Sequence, residues 1–133
     1  MAIQRGLEKH VAKLQRLVPA VLKRMVTADD KLADEAVAQI RAIAPVDPSS
    51  PDPGAYRDSV RREPGKEPNS VKVVAGAPGF PAVAHLEFGH KTPSGGHVAA
   101  EPSYYPVIRL IKKKRRSRQR TAIKAGIRDA GGI

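Results

Sequence analysis

The chain contains no cysteine and no tryptophan, and aromatic residues make up only 4% of its 133 residues. Without thiols it can form neither disulfides nor a cysteine-ligated zinc site, and it fits assembly in a reducing cytoplasm. With so few aromatic side chains, the core must come from Val, Ile, Leu and Ala. A core of this kind is small, which favours stabilisation by neighbouring subunits.

Long apolar runs are also missing from the sequence. No stretch approaches the roughly 18 apolar residues of a membrane span, so we expect no membrane-spanning helix, and the partners that we predict below include no membrane. The first residues, Met1 to Gly6, begin a charged and periodic segment, which predicts that no secretory signal is present. The length suits one compact domain over residues 1–133.

Acidic residues are scarce, with 13 Asp and Glu against 24 Lys and Arg, for a formal net charge of +11. A field of this sign and size attracts polyanions. Nucleic acid, an acidic protein surface or an anionic membrane would each satisfy it. The charge predicts an anionic partner without choosing among the three.

Residues 1–44 form a predicted helical region. Apolar side chains recur there at spacings of three and four, as on one face of an amphipathic helix. Pro19 predicts either a kink or two helices that meet near Leu17, because proline removes a backbone donor and crowds the previous turn. Pro45 ends the region. The apolar positions of the first part are Ile3, Leu7, Val11, Leu14, Val18, Val21, Leu22 and Met25.

The rest of the chain predicts an α+β fold with a small antiparallel sheet of three to four strands. A Pro-rich loop over 45–55 precedes the sheet region, residues 56–89, whose short strand-like segments are bounded by Pro or Gly. A loop over 90–102 leads to a basic C-terminal helix, residues 103–129. The three expected strands are Tyr56 to Arg62, Ser70 to Ala75 and Ala82 to Phe88.

The C-terminal helix carries ten basic residues between Pro102 and Arg128 and no acidic one. Three interpretations stay open: a salt-sensitive nucleic-acid surface, part of an assembly that lines a DNA channel or meets acidic neighbours, and a solubilising helix end. The predicted contact patch for DNA or another anionic partner consists of Arg109, Lys112, Lys113, Lys114, Arg115, Arg116, Arg118 and Arg120.

Enzymatic motifs have little support. His85-Leu86-Glu87 matches half of a zinc deaminase signature, but the cysteine half is missing. A metal hydrolase would have to use His85, His90 and His97 with Glu87, which we instead expect to be plain polar residues. We predict no catalytic residue, no metal and no cofactor.

Four acidic residues cluster late in the helical region, at Asp29, Asp30, Asp34 and Glu35. Such a cluster could hold a hard cation such as Mg²⁺. Asp30 and Asp34 share a helix face, and we expect that face to be solvated and to offset Lys31.

Four short motifs occur in a characteristic order. They are Ala44-Pro45, Gly54-Ala55-Tyr56-Arg57-Asp58-Ser59, Leu86-Glu87-Phe88-Gly89 and Pro102-Ser103-Tyr104. In this order the chain resembles the gene-product-10-like tail-component family of long-tailed bacteriophages, whose members are head-tail joining and tail-completion proteins. The resemblance covers residues 20 to 110. It departs from the family pattern in a longer loop over 48–53 and in Tyr104-Tyr105, where Phe is usual.

The resemblance implies a structural virion protein of the phage neck, assembled in the bacterial host cytoplasm. Its partners would be identical subunits in a closed ring, expected to be a hexamer, with connector or stopper proteins on the head side and the tail tube protein on the tail side. The dense Lys and Arg of the basic helix lie outside the matched residues, and we expect them to face either packaged DNA or an acidic partner ring. The alternative interpretation is a small basic protein that binds nucleic acid without sequence preference.

The predicted assembly motif consists of Arg57, Ser59, Glu87, Phe88, Gly89, Pro102 and Tyr104. We expect Phe88 to anchor a strand end in the core, and Gly89 to form a turn where a side chain does not fit. Glu87, on the opposite strand face, should pair with a basic residue of its own chain or a neighbour. Arg57 is the first candidate.

Overall fold

The structure is a computed structural model that describes residues 2–76 and 82–132. Two long helices, two short helices and two β-hairpins make up the described fold, so the predicted α+β class is confirmed. The elements are α1 (Ala2–Ile43), α2 (Ala55–Ser59), β1 (Arg61–Pro64), β2 (Val71–Val74), α3 (Ala82–Phe88), β3 (His90–Lys91), β4 (His97–Val98) and α4 (Tyr104–Asp129).

Helix α1 runs without a break through Pro19. Two helices meeting near Leu17 were one of the two predicted alternatives, and that alternative is wrong. Pro19 is exposed, so its ring lies on the solvent side, and the hydrogen bonds of the neighbouring turns carry the helix past the missing donor. The helix ends at Ile43, two residues before Pro45, as predicted.

Helices α1 and α4 pack side by side in antiparallel orientation. Arg24 contacts Asp129 at one end of the pair, and Glu35 contacts Lys114 nearer the other end. The 42 residues of α1 span about 63 Å and the 26 residues of α4 about 39 Å, at 1.5 Å per residue. Much of the first half of α1 therefore extends past the end of α4. We call residues 6–25 the N-terminal arm.

The hydrophobic core lies at the opposite end of α1. Its buried side chains come from the second half of α1, the residue before β1 and the first half of α4, and Val73 of β2 packs against them. They are Leu32, Ala36, Ile40, Val60, Val107 and Ile111. These six buried side chains are all aliphatic, as the composition predicts, and Tyr104 packs against them.

The described strands form two separate antiparallel hairpins. β1 pairs with β2 in a register that sets Arg61 opposite Val74, and β3 pairs with β4 with His90 opposite Val98. The prediction of one sheet over residues 56–89 is therefore wrong. The last hairpin lies in the segment that was predicted to be a loop.

Two of the predicted strands are largely helical. Residues 55–59 form one helical turn, and residues 82–88 form α3. The alternation of Leu86 and Phe88 with polar residues resembled a strand, but so short a run does not distinguish a strand from a helix. Ala, Leu and Glu are also among the best helix formers. None of the helices over 2–76 and 82–132 combines the length and apolar character that crossing a membrane requires.

Candidate functional site

A buried carboxylate lies at the start of α4. Glu87, at the end of α3, is only 6% exposed. Its Oε1 accepts hydrogen bonds from the backbone N–H groups of Ser103 (2.9 Å) and Tyr104 (2.5 Å), and its Oε2 accepts one from Tyr105 N–H (3.3 Å). A negative charge is thereby held at the positive end of the helix dipole.

Two hydroxyl groups complete this arrangement. The Tyr56 hydroxyl donates to Glu87 Oε1 (3.3 Å) and lies 3.1 Å from Ser103 Oγ. Tyr56 and Ser103 are both buried, and burial raises the pKa of Tyr56. We call Tyr56, Glu87, Ser103 and Tyr104 the Glu87 cluster.

Glu87 caps the N-terminus of α4. The first N–H groups of a helix have no partner within it, and the side chain of the preceding residue usually supplies one. Here the preceding residue is Ser103, whose side chain makes no capping hydrogen bond. Glu87 replaces that cap from a different element, so α3, α4 and Tyr56 of α2 are held together at one point.

A second network ties this point to the first hairpin. Ser59 Oγ donates to the Tyr56 carbonyl (2.6 Å) and accepts from Gly76 N–H (2.9 Å). The Arg61 guanidinium donates to the carbonyls of Ser59 (2.9 Å) and Gly76 (2.7 Å). Ser59 of the predicted assembly motif is therefore a residue that joins the segments before β1 and after β2.

Tyr104 extends the Glu87 cluster to the same hairpin. Its hydroxyl donates to the Val73 carbonyl (2.7 Å), and burial raises its pKa. Pro102 is exposed two residues earlier. The hydrogen bonds of Ser59, Glu87 and Tyr104 thus form a continuous structural network.

The expected pairing of Glu87 with Arg57 is wrong. The helical turn of α2 directs Tyr56 inward, where it reaches Glu87, and Arg57 instead contacts Asp58 (3.1 Å) with both side chains well exposed. Sequence reasoning missed Tyr56 and Ser103 as site residues. Both residues belong to motifs quoted above. The hydroxyl group that each of them carries was the sequence feature that could have identified them as partners of Glu87.

Phe88 is 69% exposed, so the prediction that it anchors the core is wrong. Because α3 is a helix, successive residues point in different directions, and Glu87 is turned inward instead. The Phe88 ring lies 5.7 Å from that of Tyr105, which is 44% exposed. The expected turn at Gly89 is present, since its φ is +73° and an added Cβ would lie 2.7 Å from the Val98 carbonyl oxygen.

Three of the eight patch residues on α4 bind acidic groups of α1. Arg115 makes a two-pronged contact with Asp29 (3.1 Å each), and Glu35 accepts from Lys114 (2.8 Å) and Arg118 (3.0 Å). The hydrogen bond from Lys114 lowers the pKa of Glu35, and the one to Asp29 raises the pKa of Arg115. These three cations therefore pair with α1, and each such contact near the surface contributes about 0–1 kcal/mol.

The other five patch residues face outward. Each is exposed, and within the described part of the chain none has an acidic group within 4.0 Å. Like charges four residues apart on a helix oppose each other by about 0.2–0.5 kcal/mol per pair, a repulsion that a bound anion would relieve. We call Arg109, Lys112, Lys113, Arg116 and Arg120 the outer basic stripe.

Asp30 and Asp34 of the acidic cluster lie on a solvated face of α1, as expected, with side chains that are 48% and 66% exposed. Asp30 and Asp34 do share a face, and both contact Arg62 of β1, at 3.4 and 3.5 Å. Asp29 and Glu35 pair with cations of α4, so each of the four carboxylates contacts a cation of another element. The helix acids thus have a structural role on two sides of α1.

Two of the candidate metal histidines lie close together. The rings of His85 and His90 stack with centroids 4.3 Å apart, beside a cavity of about 720 Å³ that Tyr56 and Glu101 also line. His97 lies in β4. Over the described ranges, no three side chains of His, Asp or Glu are grouped so that they could hold a metal ion.

The chain matches none of the protein-family models, curated proteins or solved structures with which it was compared. The geometry of the Glu87 cluster and of the outer basic stripe therefore carries the functional argument.

Proposed function

We propose that this protein is a structural subunit of the neck of a long-tailed bacteriophage, where it completes the tail or joins it to the filled head. The observation that supports this proposal is that three motifs of the resemblance meet at one buried carboxylate. Tyr56, Glu87 and Ser103 belong to different motifs and share one hydrogen-bond network. The three motifs therefore share one structural role in this fold.

The proposed action is binding without catalysis. Identical subunits would associate through two different faces into a closed ring, for which we propose six-fold symmetry. The ring would meet connector or stopper proteins on one side and the tail tube protein on the other. Exposed apolar side chains on α1 and the exposed Phe88 and Tyr105 pair supply material for such contacts.

In this role the outer basic stripe would face a DNA channel or an acidic neighbouring ring. Five exposed cations on one helix form a field that attracts phosphate groups or carboxylates along its length. Lys114, Arg115 and Arg118 on the inner face of α4 are neutralised by acidic residues of α1. The positive charge of α4 is therefore concentrated on its outer face.

Deletion of the reading frame from its phage or prophage tests the proposal directly. Electron microscopy should show filled heads and separate tails side by side if the protein joins them, and overlong tails if it terminates the tail. Intact particles of normal appearance would overturn the neck assignment.

A charge-reversal variant tests the outer basic stripe. Lys113→Glu with Arg116→Glu and Arg120→Glu should reduce the infectious titre while the purified protein stays folded. The matched control reverses Lys31, Lys66 and Lys91, three exposed lysines outside α4, with the same change in net charge. Equal titres for wild type and the α4 variant would contradict the stripe's role.

The outer basic stripe also supports a second candidate, a nucleic-acid-binding protein that acts on its own. Neutralising about five phosphates predicts a slope of about −4.5 when the logarithm of the duplex DNA affinity is plotted against that of the salt concentration. The charge-reversal variant should flatten this slope and the lysine control should change it less. A slope near zero for the wild type would remove this candidate.

A further inference from the structure

The N-terminal arm carries an apolar stripe with the spacing of a coiled coil. Its side chains follow one another at alternating intervals of four and three residues. In a coiled coil this spacing keeps one seam facing a partner helix over the whole length. The six members, which we call the arm stripe, are Leu7, Val11, Leu14, Val18, Val21 and Met25.

Most of the arm stripe is open to solvent. Leu7 is 63% exposed, Val11 44%, Leu14 59% and Val18 64%. Beyond them, Val21 and Met25 line an apolar groove of about 390 Å³ with Ile127 of α4. The stripe therefore runs from the free part of the arm into the groove where α4 begins to cover α1.

The short segment after α4 reaches furthest along the arm, and it lies away from the stripe. Ala130 to Gly132, which follow α4, line a shallow pocket with Lys9, Lys13 and Arg16. Those three residues occupy the helix face opposite the arm stripe. Among the described residues of the chain, this tail therefore covers the polar face and leaves the apolar one open.

Two copies of this chain repel each other overall, because each has a formal net charge of +11. The charges of the arm are placed so that the apolar stripes can still come into contact. In heptad terms, Lys9, Arg16 and Lys23 lie at the f positions, on the far side of the helix from the seam. The positions that flank the seam hold Glu8, His10, Gln15, Leu17, Leu22 and Arg24. Of these, Arg24 is neutralised by Asp129 at 2.6 Å. Two identical arms can thus approach without opposing rows of cations.

The residue types at the seam specify the geometry. The a positions hold Val11, Val18 and Met25, and the d positions hold Leu7, Leu14 and Val21. In parallel coiled coils, valine at a with leucine at d favours two strands. Pro19 falls at a b position, where it is exposed and away from the seam.

We propose that the arm stripe is a self-association surface, on which the same stripe of a second copy of this chain packs as a parallel two-stranded coiled coil. The stripe covers slightly less than three heptads, and α4 already packs against its end at Val21, so the pairing should be reversible and concentration-dependent. This inference shares with the proposed ring the premise that the chain self-associates and the exposed apolar side chains of α1. It is compatible with a ring built from pairs, and equally with a free dimer.

Sedimentation equilibrium of the purified full-length protein tests the proposal. The wild type should pass from monomer to dimer or a larger even-numbered species as the concentration rises. Leu7→Gln with Leu14→Gln should raise the dissociation constant of the pair by about a hundredfold or more, because two side chains at the seam no longer bury apolar surface. The matched control, Lys9→Gln with Arg16→Gln, should leave it close to the wild-type value.

Disulfide trapping checks the geometry in a chain that has no cysteine of its own. Leu14→Cys should give a covalent dimer under mild oxidation, because facing d positions of a parallel pair lie within reach of a disulfide. Arg16→Cys, on the far side of the helix, should not. Efficient trapping at residue 16 alone would overturn the proposed seam.

The outcomes separate this inference from the neck assignment. A wild type that stays monomeric at all concentrations overturns the arm proposal and the closed ring together. A wild type that associates as strongly as the Leu7 and Leu14 variant overturns the arm proposal alone and leaves the ring intact. Normal particles after gene deletion, with an arm-dependent dimer in solution, overturn the neck assignment alone.

Discussion

The two halves of α1 have the same kind of apolar pattern and opposite environments. In the second half, Leu32, Ala36 and Ile40 are at most 2% exposed, whereas in the arm Leu7 and Leu14 are about 60% exposed. The second half is covered by α4 and the first hairpin, whereas α4 reaches only the last part of the arm, at Val21 and Arg24. An apolar helix face therefore needs a partner, and this chain supplies one for only half of the helix.

The largest contrast should come from truncating one side chain in each half. Ile40→Ala should lower the free energy of unfolding by about 4 kcal/mol, because a fully buried side chain leaves a cavity in the core. Leu14→Ala should change it by less than about 0.5 kcal/mol in dilute, monomeric protein, since that side chain is mostly in water. Urea denaturation measures both, and equal losses would contradict the division of α1.

Substitutions at Glu87 test whether the stability of the packed half depends on one carboxylate. Glu87→Ala should lower the free energy of unfolding by about 3 kcal/mol, because several buried donors lose their acceptor. Glu87→Gln retains an acceptor oxygen and should lower it by about 1–2 kcal/mol. The same urea titration applies, and a loss below about 0.5 kcal/mol for the alanine variant would show that Glu87 does not hold the segments together.

The same substitution at two glycines probes the boundary between the halves. Gly126→Ala places a Cβ 2.5 Å from Val21 Cα, which forces α1 and α4 apart and should lower the free energy of unfolding by about 2 kcal/mol. Gly6→Ala meets nothing within 4 Å and should raise it by about 0.5–1 kcal/mol if that part of the arm is helical in the free protein. Thermal unfolding by circular dichroism distinguishes the two signs.

The smallest effect should be the pH dependence of the helix pair. The hydrogen bond from Lys114 holds the pKa of Glu35 below its ordinary value of 4.5, so the folded state binds its proton less readily than the unfolded state. The resulting stabilisation is complete above pH 4.5 and is lost as the pH falls through the lower, folded-state pKa.

Glu35→Gln should therefore be less stable than wild type near neutral pH, and the difference should shrink in acid. Glu67→Gln is the control, because the Glu67 carboxylate has no ion pair within the described part of the chain. A Glu35→Gln difference that is independent of pH would exclude this linkage. Because Glu35 is near the surface, added salt should also reduce it.

Sequence reasoning was most successful where a pattern was long. The 3.6-residue periodicity predicted both long helices within a few residues of their observed ends, and Pro45 predicted the end of the first. It failed for the short segments around Tyr56 and Glu87, because five to seven residues do not distinguish a helical turn from a strand. That single error also reversed the expected environments of Glu87 and Phe88.

Some residues of the candidate site were predicted from the sequence and others were not. Glu87, Ser59 and Tyr104 were selected from motifs and do belong to one network, while the partners of Glu87 were not predicted. A buried carboxylate takes whichever donors the fold brings near, and the donors here are N–H groups at the start of a helix that begins 17 residues later. Spacing along the chain carries no information about such a contact.

The sequence by itself determined the helical pattern, the aliphatic character of the core and the concentration of positive charge on α4, because composition and periodicity act locally. Only the tertiary structure decided which charges are neutralised, which carboxylate is buried and which half of α1 remains uncovered. These depend on the antiparallel register of α1 with α4 and on the shorter length of α4. Both are properties of how the elements meet, and no single segment encodes them.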